Sequence, residues 1–434
     1  MTETTDLRAA FIEAAVWHGS LETAEAILAA HPEIASESIH VAAILGDDDA
    51  VRRLLGRDPR TATAAGPSRG WDPLTCLCFS KYLRLDPSRS EGFVRAAEAL
   101  LDAGASATTG FHDTTHQPEP MFESALYGAA GVAHHAGLTR LLLARGADPN
   151  DDEVPYHTPE TYDNAALRVL VDSGRITDDN LATMLLRKHD WHDRDGVQWL
   201  LERGADANRR TRFGRTSFEH AVLRDNAVEI FEVLLDHGAK PESAIAPAAR
   251  RGRGDLLELF ERRGTAIVLH GVDRLIAACA RNDAAAVRAI RANEPDVVSG
   301  LIAQGGRLLS EFAGNGNTAG VTQLLELGVA VDARFAEGDS YWDVAADSAA
   351  VHVAAWRAQH ATVRLLIERG ADVNARDGKG RTPLQLSVRA CVDSYWTTRR
   401  SPESVRALLE AGASAQGINV PCGYAEVDAL LRTR

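Results

Sequence analysis

The sequence predicts an all-α solenoid, a row of about twelve helix–turn–helix repeats joined by hairpin loops that we call fingers. Two apolar helical stretches recur in most repeats, and the second ends in a leucine-rich turn followed by a stop residue. The stop is usually glycine, which ends helices readily because it tolerates positive φ. Stops recur every 35 or so residues on average, a period typical of repeat architectures. They fall at His31, Asp58, Gly104, Gly146, Gly174, Gly204, Gly238, Gly264, Asn293, Gly328, Gly370 and Gly412.

One period is clearest between Leu365 and Leu384, which reads LLIERGADVNARDGKGRTPL. A glycine stop is followed by Asp377-Gly378, a tight-turn pair, and then by Thr382 and Pro383, which suit a helix cap and first turn. The segment resembles the ankyrin repeat family, whose signature begins Thr-Pro-Leu-His and whose period is about 33 residues. The resemblance implies stacked helix pairs, with fingers and first helices forming a concave, partner-binding face. Alanine and arginine richness favours a bacterial-type member.

We predict that residues 1–434 form a single array, with two stacked halves hinged near 264–300 as the alternative. Two repeats carry finger-side insertions, the fourth and the eleventh. The fifth is short, and Pro155 and Pro159 should confine its first helix to a brief segment. The predicted parts are an N-terminal capping repeat at 1–36, repeats two to eight at 37–264, repeats nine to twelve at 265–420, and a C-terminal cap at 421–434.

Composition, charge and the lack of targeting signals argue against several classes of protein function. The formal net charge of −14 argues against a nucleic-acid partner bound by phosphate neutralisation. Five cysteines without a Cys-x-x-Cys pair predict reduced thiols, with neither a disulfide framework nor a zinc ribbon. The N-terminus lacks the basic and apolar regions of a secretory signal, and no apolar run approaches the roughly 18 residues of a membrane span. We therefore expect a cytoplasmic protein that binds no membrane.

Binding residues are predicted where fingers depart from the repeat pattern. Large aromatic side chains and arginines are typical of binding hot spots, because they bury much area at little cost in rotamer freedom. The competing interpretation is that such residues wedge neighbouring fingers together. The predicted set is Phe111, His112, Tyr127, Tyr156, His157, Tyr162, Arg212, Phe213, Arg334, Tyr341 and Trp342.

An enzyme is the alternative from another class. Histidine beside carboxylate could serve acid–base chemistry, and the candidates are His112, Asp113, His116, His157 and Asp163. We expect neither a metal nor a cofactor, and no phosphate loop or nucleophile elbow occurs in the sequence. A second histidine-rich run, HDWHDRD at His189–Asp195, is interpreted as a solvated loop that caps the next helix.

The sequence as a whole predicts a protein–protein interaction scaffold. Its unidentified protein or peptide partner should bind the concave face through fingers three to seven, with a second patch near finger eleven. Neither the partner nor the oligomeric state is specified by the sequence.

Overall fold

A computed structural model describes residues 6–115 and 118–433, and the described chain is mostly helical, as predicted. It divides into two compact units, unit 1 ending at Ala239 and unit 2 beginning at Lys240. Whether the two form one array of about twelve ankyrin-type repeats stays a prediction. None of the described helices is long and apolar enough to cross a membrane.

Unit 1 consists of short helices, most of them paired around a tight turn. Its core is apolar and includes the fully buried Phe11, Phe79, Phe93, Phe218 and Phe231. The helices are Leu7–Ala15, Leu21–Ala30, Ile34–Glu37, Ile39–Leu45, Asp48–Arg57, Pro73–Cys78, Lys81–Leu85, Ser90–Asp102, Ala125–Tyr127, Gly128–Val132, Ala136–Ala144, Val154–His157, Ala165–Asp172, Asp178–Lys188, Arg194–Glu202, Ser217–Leu223 and Val228–Asp236, with 3₁₀ turns at Pro59–Thr63, Pro87–Arg89 and His189–Trp191.

Unit 2 repeats this organisation around buried Phe260 and Phe312. Its helices are Ile245–Arg250, Gly254–Arg262, Gly271–Ala280, Ala284–Asn293, Pro295–Ile302, Gly305–Gly314, Thr318–Glu326, Ala350–Trp356, His360–Glu368, Pro383–Asp393, Glu403–Glu410 and Ala425–Arg432, with 3₁₀ turns at Glu242–Ala244 and Thr397–Arg399. The helix Pro295–Ile302 follows directly after the stop at Asn293, and the sequence did not predict it.

All nine glycine stops lie two residues after the last residue of a helix, and their φ values run from +67° to +105°. At Gly370 the peptide N–H bonds back to Ile367 and the next N–H, of Ala371, to Leu366, each at 3.0 Å, so the last carbonyls of the helix are satisfied. A methyl group on Gly370 would meet no atom within 4 Å, so the need for glycine is conformational. The other three stops use proline just beyond the helix end, at Pro32, Pro59 and Pro295.

The insertions predicted in repeats four and eleven each contain a short antiparallel hairpin that directly precedes a helix. In unit 1, β1 (Gly110–Asp113) pairs with β2 (Met121–Ser124), with Gly110 opposite Ser124. In unit 2, β3 (Arg334–Phe335) pairs with β4 (Ser348–Ala349). The first helix of repeat five, Val154–His157, is a single turn with proline at its second position, as predicted.

The five cysteines all lie in the described part of the chain, and none is bridged. Four are buried, and burial raises the pKa of Cys391 to about 11 and that of Cys279 to about 12. Buried thiols of this kind are inert packing groups.

Candidate functional site

Six rings in unit 1 form one continuous row, which we call the ring row. Consecutive ring centres lie 4.8–5.8 Å apart. Five of the six were predicted from the sequence, and Phe79 was missed because it follows the first helix of its repeat and does not lie in a finger. In order, the row consists of Phe111, Phe79, Tyr127, His157, Tyr156 and Phe213.

Local structure sets the position of each ring. Phe111 lies on strand β1, and the Ser124 hydroxyl accepts the Tyr127 N–H at 2.9 Å to cap the next short helix. Tyr156 and His157 end the single-turn helix of repeat five, whose Val154 N–H donates to Asp151 at 2.7 Å.

His157 is held between two carboxylates. Its Nε2 lies 2.9 Å from Glu153 Oε2, and its Nδ1 lies 2.9 Å from Glu160 Oε2. Burial alone would lower the pKa of His157, but the two carboxylates outweigh it and raise the pKa to about 9. The imidazole is therefore cationic at neutral pH, with both ring nitrogens bound.

A buried carboxyl group lies next to this ion pair. Glu123 is 1% exposed, and its pKa is raised to about 8 by burial and by the neighbouring carboxylates of Glu153 and Asp113. Burial also raises the pKa of Asp151, which accepts the Ser124 hydroxyl at 2.5 Å. Glu123 is therefore largely protonated at neutral pH, which reduces the negative charge beside His157.

Arg187 joins the ring row to a buried charge network. Its guanidinium lies 3.9 Å from the centre of the Tyr156 ring and pairs with both Glu160 and Asp190. Asp190 also lies 2.9 Å from His220 Nε2 and pairs with Arg224. Burial would raise the pKa of Asp190, but these partners outweigh it and hold the pKa far below its usual range.

The expectation that His189–Asp195 is a solvated loop is wrong in its first half. His189 is fully buried, with its ring nitrogens 2.8 Å from Asn226 Oδ1 and 2.6 Å from Ser217 Oγ. The reason is that these residues continue the buried face of the helix Asp178–Lys188 into the next repeat. The capping prediction is confirmed, because Asp193 accepts the Gly196 N–H at 2.9 Å.

The described residues of the acid–base alternative other than His157 each have their own local contacts. His112 is exposed, with its ring centre 5.2 Å from that of Phe122. Asp163 is exposed and accepts the Ala165 N–H at 2.9 Å, while Asp113 accepts the Thr115 N–H at 2.8 Å. His116 lies outside the described residues. Residues 6–115 and 118–433 contain no group of three or more histidine, cysteine or acidic side chains placed to hold a metal.

Two further predicted residues, Arg212 and Tyr162, lie in unit 1 outside the row, which ends at Phe213. Phe213 is 39% exposed, and Arg212 stacks over its ring at 5.1 Å while pairing with Asp152. Tyr162 is 59% exposed, and its ring centre is 5.3 Å from that of Trp191. Phe213 and Tyr162 are open to a partner, whereas Tyr127 is only 6% exposed.

The predicted patch near finger eleven lies in unit 2 and is partly buried. Trp342 is 7% exposed, and the Arg357 guanidinium lies between it and Trp396, at 4.9 Å and 5.1 Å from the two ring centres. The indole N–H of Trp356 donates to the Trp342 carbonyl at 2.6 Å. Trp342 is therefore a packing residue, while its neighbour Tyr341 is 41% exposed.

Ion pairs and hydrogen bonds attach the insertion of repeat eleven to the neighbouring helices. Asp343 accepts Lys379 at 2.5 Å and Arg381 at 2.9 Å, and it also pairs with Arg389. Arg334 donates to the carbonyls of Asp347 and Arg376 at 3.0 Å and 3.1 Å. Residues 336–347 thus lie across the helices Ala350–Trp356 and Pro383–Asp393.

A family model described as "Ankyrin repeats (many copies)" matches residues 348–394, which include the helices Ala350–Trp356 and His360–Glu368. Ankyrin repeats are therefore present in the chain. Among curated proteins, the chain is similar to cyclin-dependent kinase 4 inhibitor B from Mus musculus, at 38% identity over 76 residues, which are 16% of this chain and 57% of that protein. The protein of the same name from Homo sapiens is 38% identical over 76 residues, covering 16% and 54%.

The chain spans little more than half the length of the curated relatives that it matches. The relatives are named as inhibitors of a protein kinase. The repeats and these relatives together support a role in protein interaction in general.

Proposed function

We propose that the protein is an interaction scaffold whose ring row binds a segment of a protein or peptide partner on a concave face. The single observation that carries the proposal is the continuity of the row from Phe111 on finger four to Phe213 on finger seven. Aromatic side chains beside arginine are the groups that dominate binding energy at protein interfaces. The buried rings would supply a rigid floor, and Tyr156 and Phe213 the contact area.

The partner is proposed only as a class. The shared 76 residues cover 16% of this chain, so the relatives support a protein partner in general and no particular kinase. The array of about twelve repeats, the cytoplasmic location, the bacterial type and a second contact at Tyr341 all stay predictions. The acid–base alternative also stays a prediction. It would be supported by a hydrolytic or lyase activity that is lost in a His112→Ala variant.

Phe213 and Phe122 offer a matched pair for the test, since each is 39% exposed and both lie in unit 1. The full chain and its Phe213→Ala and Phe122→Ala variants would be used to capture proteins from native cell extract, with quantitative mass spectrometry as the readout. We expect a defined set of proteins to fall at least tenfold with Phe213→Ala, because a hot-spot ring is worth about 2 kcal/mol or more. Equal capture of these proteins by the two variants would contradict the proposed function.

A further inference from the structure

A cavity of about 520 Å³ opens beside the ring row in unit 1. It shares Phe79, Tyr127 and His157 with the row. Its other aromatic walls are Trp17, which follows the first helix of the chain, and Trp191, which follows the helix Asp178–Lys188. Rings from separate helix pairs thus surround one space large enough for one or two side chains of a partner.

Two basic side chains line the same cavity. Lys81 and Arg84 lie on the short helix Lys81–Leu85, which fills the extra length between the two helices of repeat three. Within the described residues neither has an ion-pair partner, although many arginines of this acidic chain are paired with carboxylates. Basic side chains without ion-pair partners beside aromatic walls are complementary to a ligand in which an acidic group lies next to an apolar group.

The remaining charged groups around the cavity do not cancel this excess. The Glu160 carboxylate faces it, but His157 and Arg187 bind that group. His18, His134 and Tyr127 are the other titratable groups in the lining. Burial lowers the pKa of His134 to about 4, so His134 is neutral at pH 7 and contributes no charge, and burial raises the pKa of Tyr127 far above neutral pH.

We infer that this cavity binds an acidic segment of the partner, with a carboxylate against Lys81 and Arg84 and an adjacent aromatic or apolar residue against Trp17 and Trp191. The inference rests on the proposed function, because the cavity and the ring row share three residues. It adds the chemistry of the partner: acidic positions next to aromatic or apolar ones.

The probe is a fluorescently labelled random copolymer of glutamate and tyrosine in a 4:1 ratio, which displays many short acidic–aromatic sequences. The full chain should bind it with an affinity that falls at least tenfold in the double variant Lys81→Glu/Arg84→Glu. The matched control is Arg53→Glu/Arg57→Glu, which makes the same change in net charge at two exposed arginines on the helix Asp48–Arg57. The control should bind within twofold of the wild type.

Chemical coupling locates the contact. Carbodiimide joins an amine to a carboxylate as an amide, with loss of water, only where the two groups touch. Lys81 is one of four lysines, and Lys188 is buried in an ion pair with Asp193 while Lys379 pairs with Asp343. We expect the copolymer to couple at Lys81. The Lys81→Arg variant should retain binding, because it keeps the charge, but lose that coupling.

Other outcomes overturn the inference. They are equal loss of binding in the two double variants, coupling elsewhere but not at Lys81, or equally tight binding of a twelve-nucleotide oligothymidylate. The two proposals fail separately. If Phe213→Ala abolishes capture of the native partners while Lys81→Glu/Arg84→Glu leaves capture and copolymer binding intact, the proposed function stands and this inference falls. If Phe213→Ala has no effect but the copolymer still depends on Lys81 and Arg84, the acidic site stands without the ring row.

Discussion

The Arg187 guanidinium stacks 3.9 Å from the Tyr156 ring centre, and the same group pairs with Glu160 and Asp190. The Arg187 side chain is restrained by one ring and two carboxylates, so it has little conformational entropy to lose when a partner binds. Tyr156 is thereby fixed in place before any partner arrives, which reduces the entropy that binding would otherwise cost. The stability of the buried charge network and the preorganisation of the ring row for binding are therefore linked.

Replacing Asp190 should unfold unit 1 more easily. Its carboxylate is 6% exposed and pairs with Arg187 and Arg224, so Asp190→Ala removes one buried carboxylate partner from each of these two arginines. Breaking a buried ion pair from one side costs about 3–5 kcal/mol. Asp195→Ala is the control, since that carboxylate is 89% exposed and its pairing with Arg194 should be worth less than about 1 kcal/mol. Urea denaturation of both variants measures the difference, and similar midpoints would contradict the expectation.

His157 gives a pH dependence with a definite sign. Its pKa in the folded protein is about 9, above the usual value near 6.5, so the stability from its two ion pairs is complete below pH 6.5 and is lost as pH rises through 9. The stability difference between wild type and His157→Gln should therefore shrink from pH 6 to pH 10, by up to about 3 kcal/mol.

The control for this series is His352→Gln. Burial lowers the pKa of His352, so the stability that it contributes is not lost as pH rises through 9, and its effect should not shrink between pH 7.5 and pH 10. Denaturant midpoints at pH 6, 7.5, 9 and 10 provide the comparison. A His157 difference that does not change with pH would show that the ion pairs contribute nothing.

The glycine stops can be tested against a helical glycine. Gly204 has φ +90° and open space where a methyl group would lie, so Gly204→Ala should cost roughly 1–2 kcal/mol through the backbone alone. Gly56 lies inside the helix Asp48–Arg57, also with open space, and Gly56→Ala should stabilise by about 0.5–1 kcal/mol. Thermal denaturation should move in opposite directions for the two variants. A shift of the same sign in both would argue against the conformational explanation.

Trp342 and Tyr341 separate packing from binding at finger eleven. Trp342→Ala removes a nearly buried ring and exposes the Arg357 stack, so we expect a loss of about 3–5 kcal/mol in unit 2. Tyr341→Ala removes a 41% exposed ring and should change stability by about 0.5 kcal/mol or less. Thermal midpoints distinguish the two, and an unchanged midpoint for Trp342→Ala would return Trp342 to the set of binding candidates.

The helix ends could be predicted from the sequence because their causes are local. A glycine after a leucine-rich turn meets its requirement for positive φ within a few residues, and the structure places all nine such glycines alike. Thr382 also forms the predicted cap, with Gln385 completing a capping box. Finger insertions were found because they lengthen the interval between stops.

The partners of the site residues could not be predicted in the same way. Arg187 meets Tyr156 and Glu160 from the preceding repeat, and Asp190 meets His220 and Arg224 from the next. Contacts between repeats depend on how far each first helix extends toward the fingers, which spacing alone does not give. For the same reason the buried His189 looked like a solvated residue.

Residues 336–347 of the insertion cover part of the surface of unit 2. Arg357 between two indoles, and Asp343 on three basic side chains, hold it against the helices where the resemblance would place a ligand. A competitor for that surface would have to displace the insertion first, so its association would be slow and its apparent affinity reduced by the work of displacement.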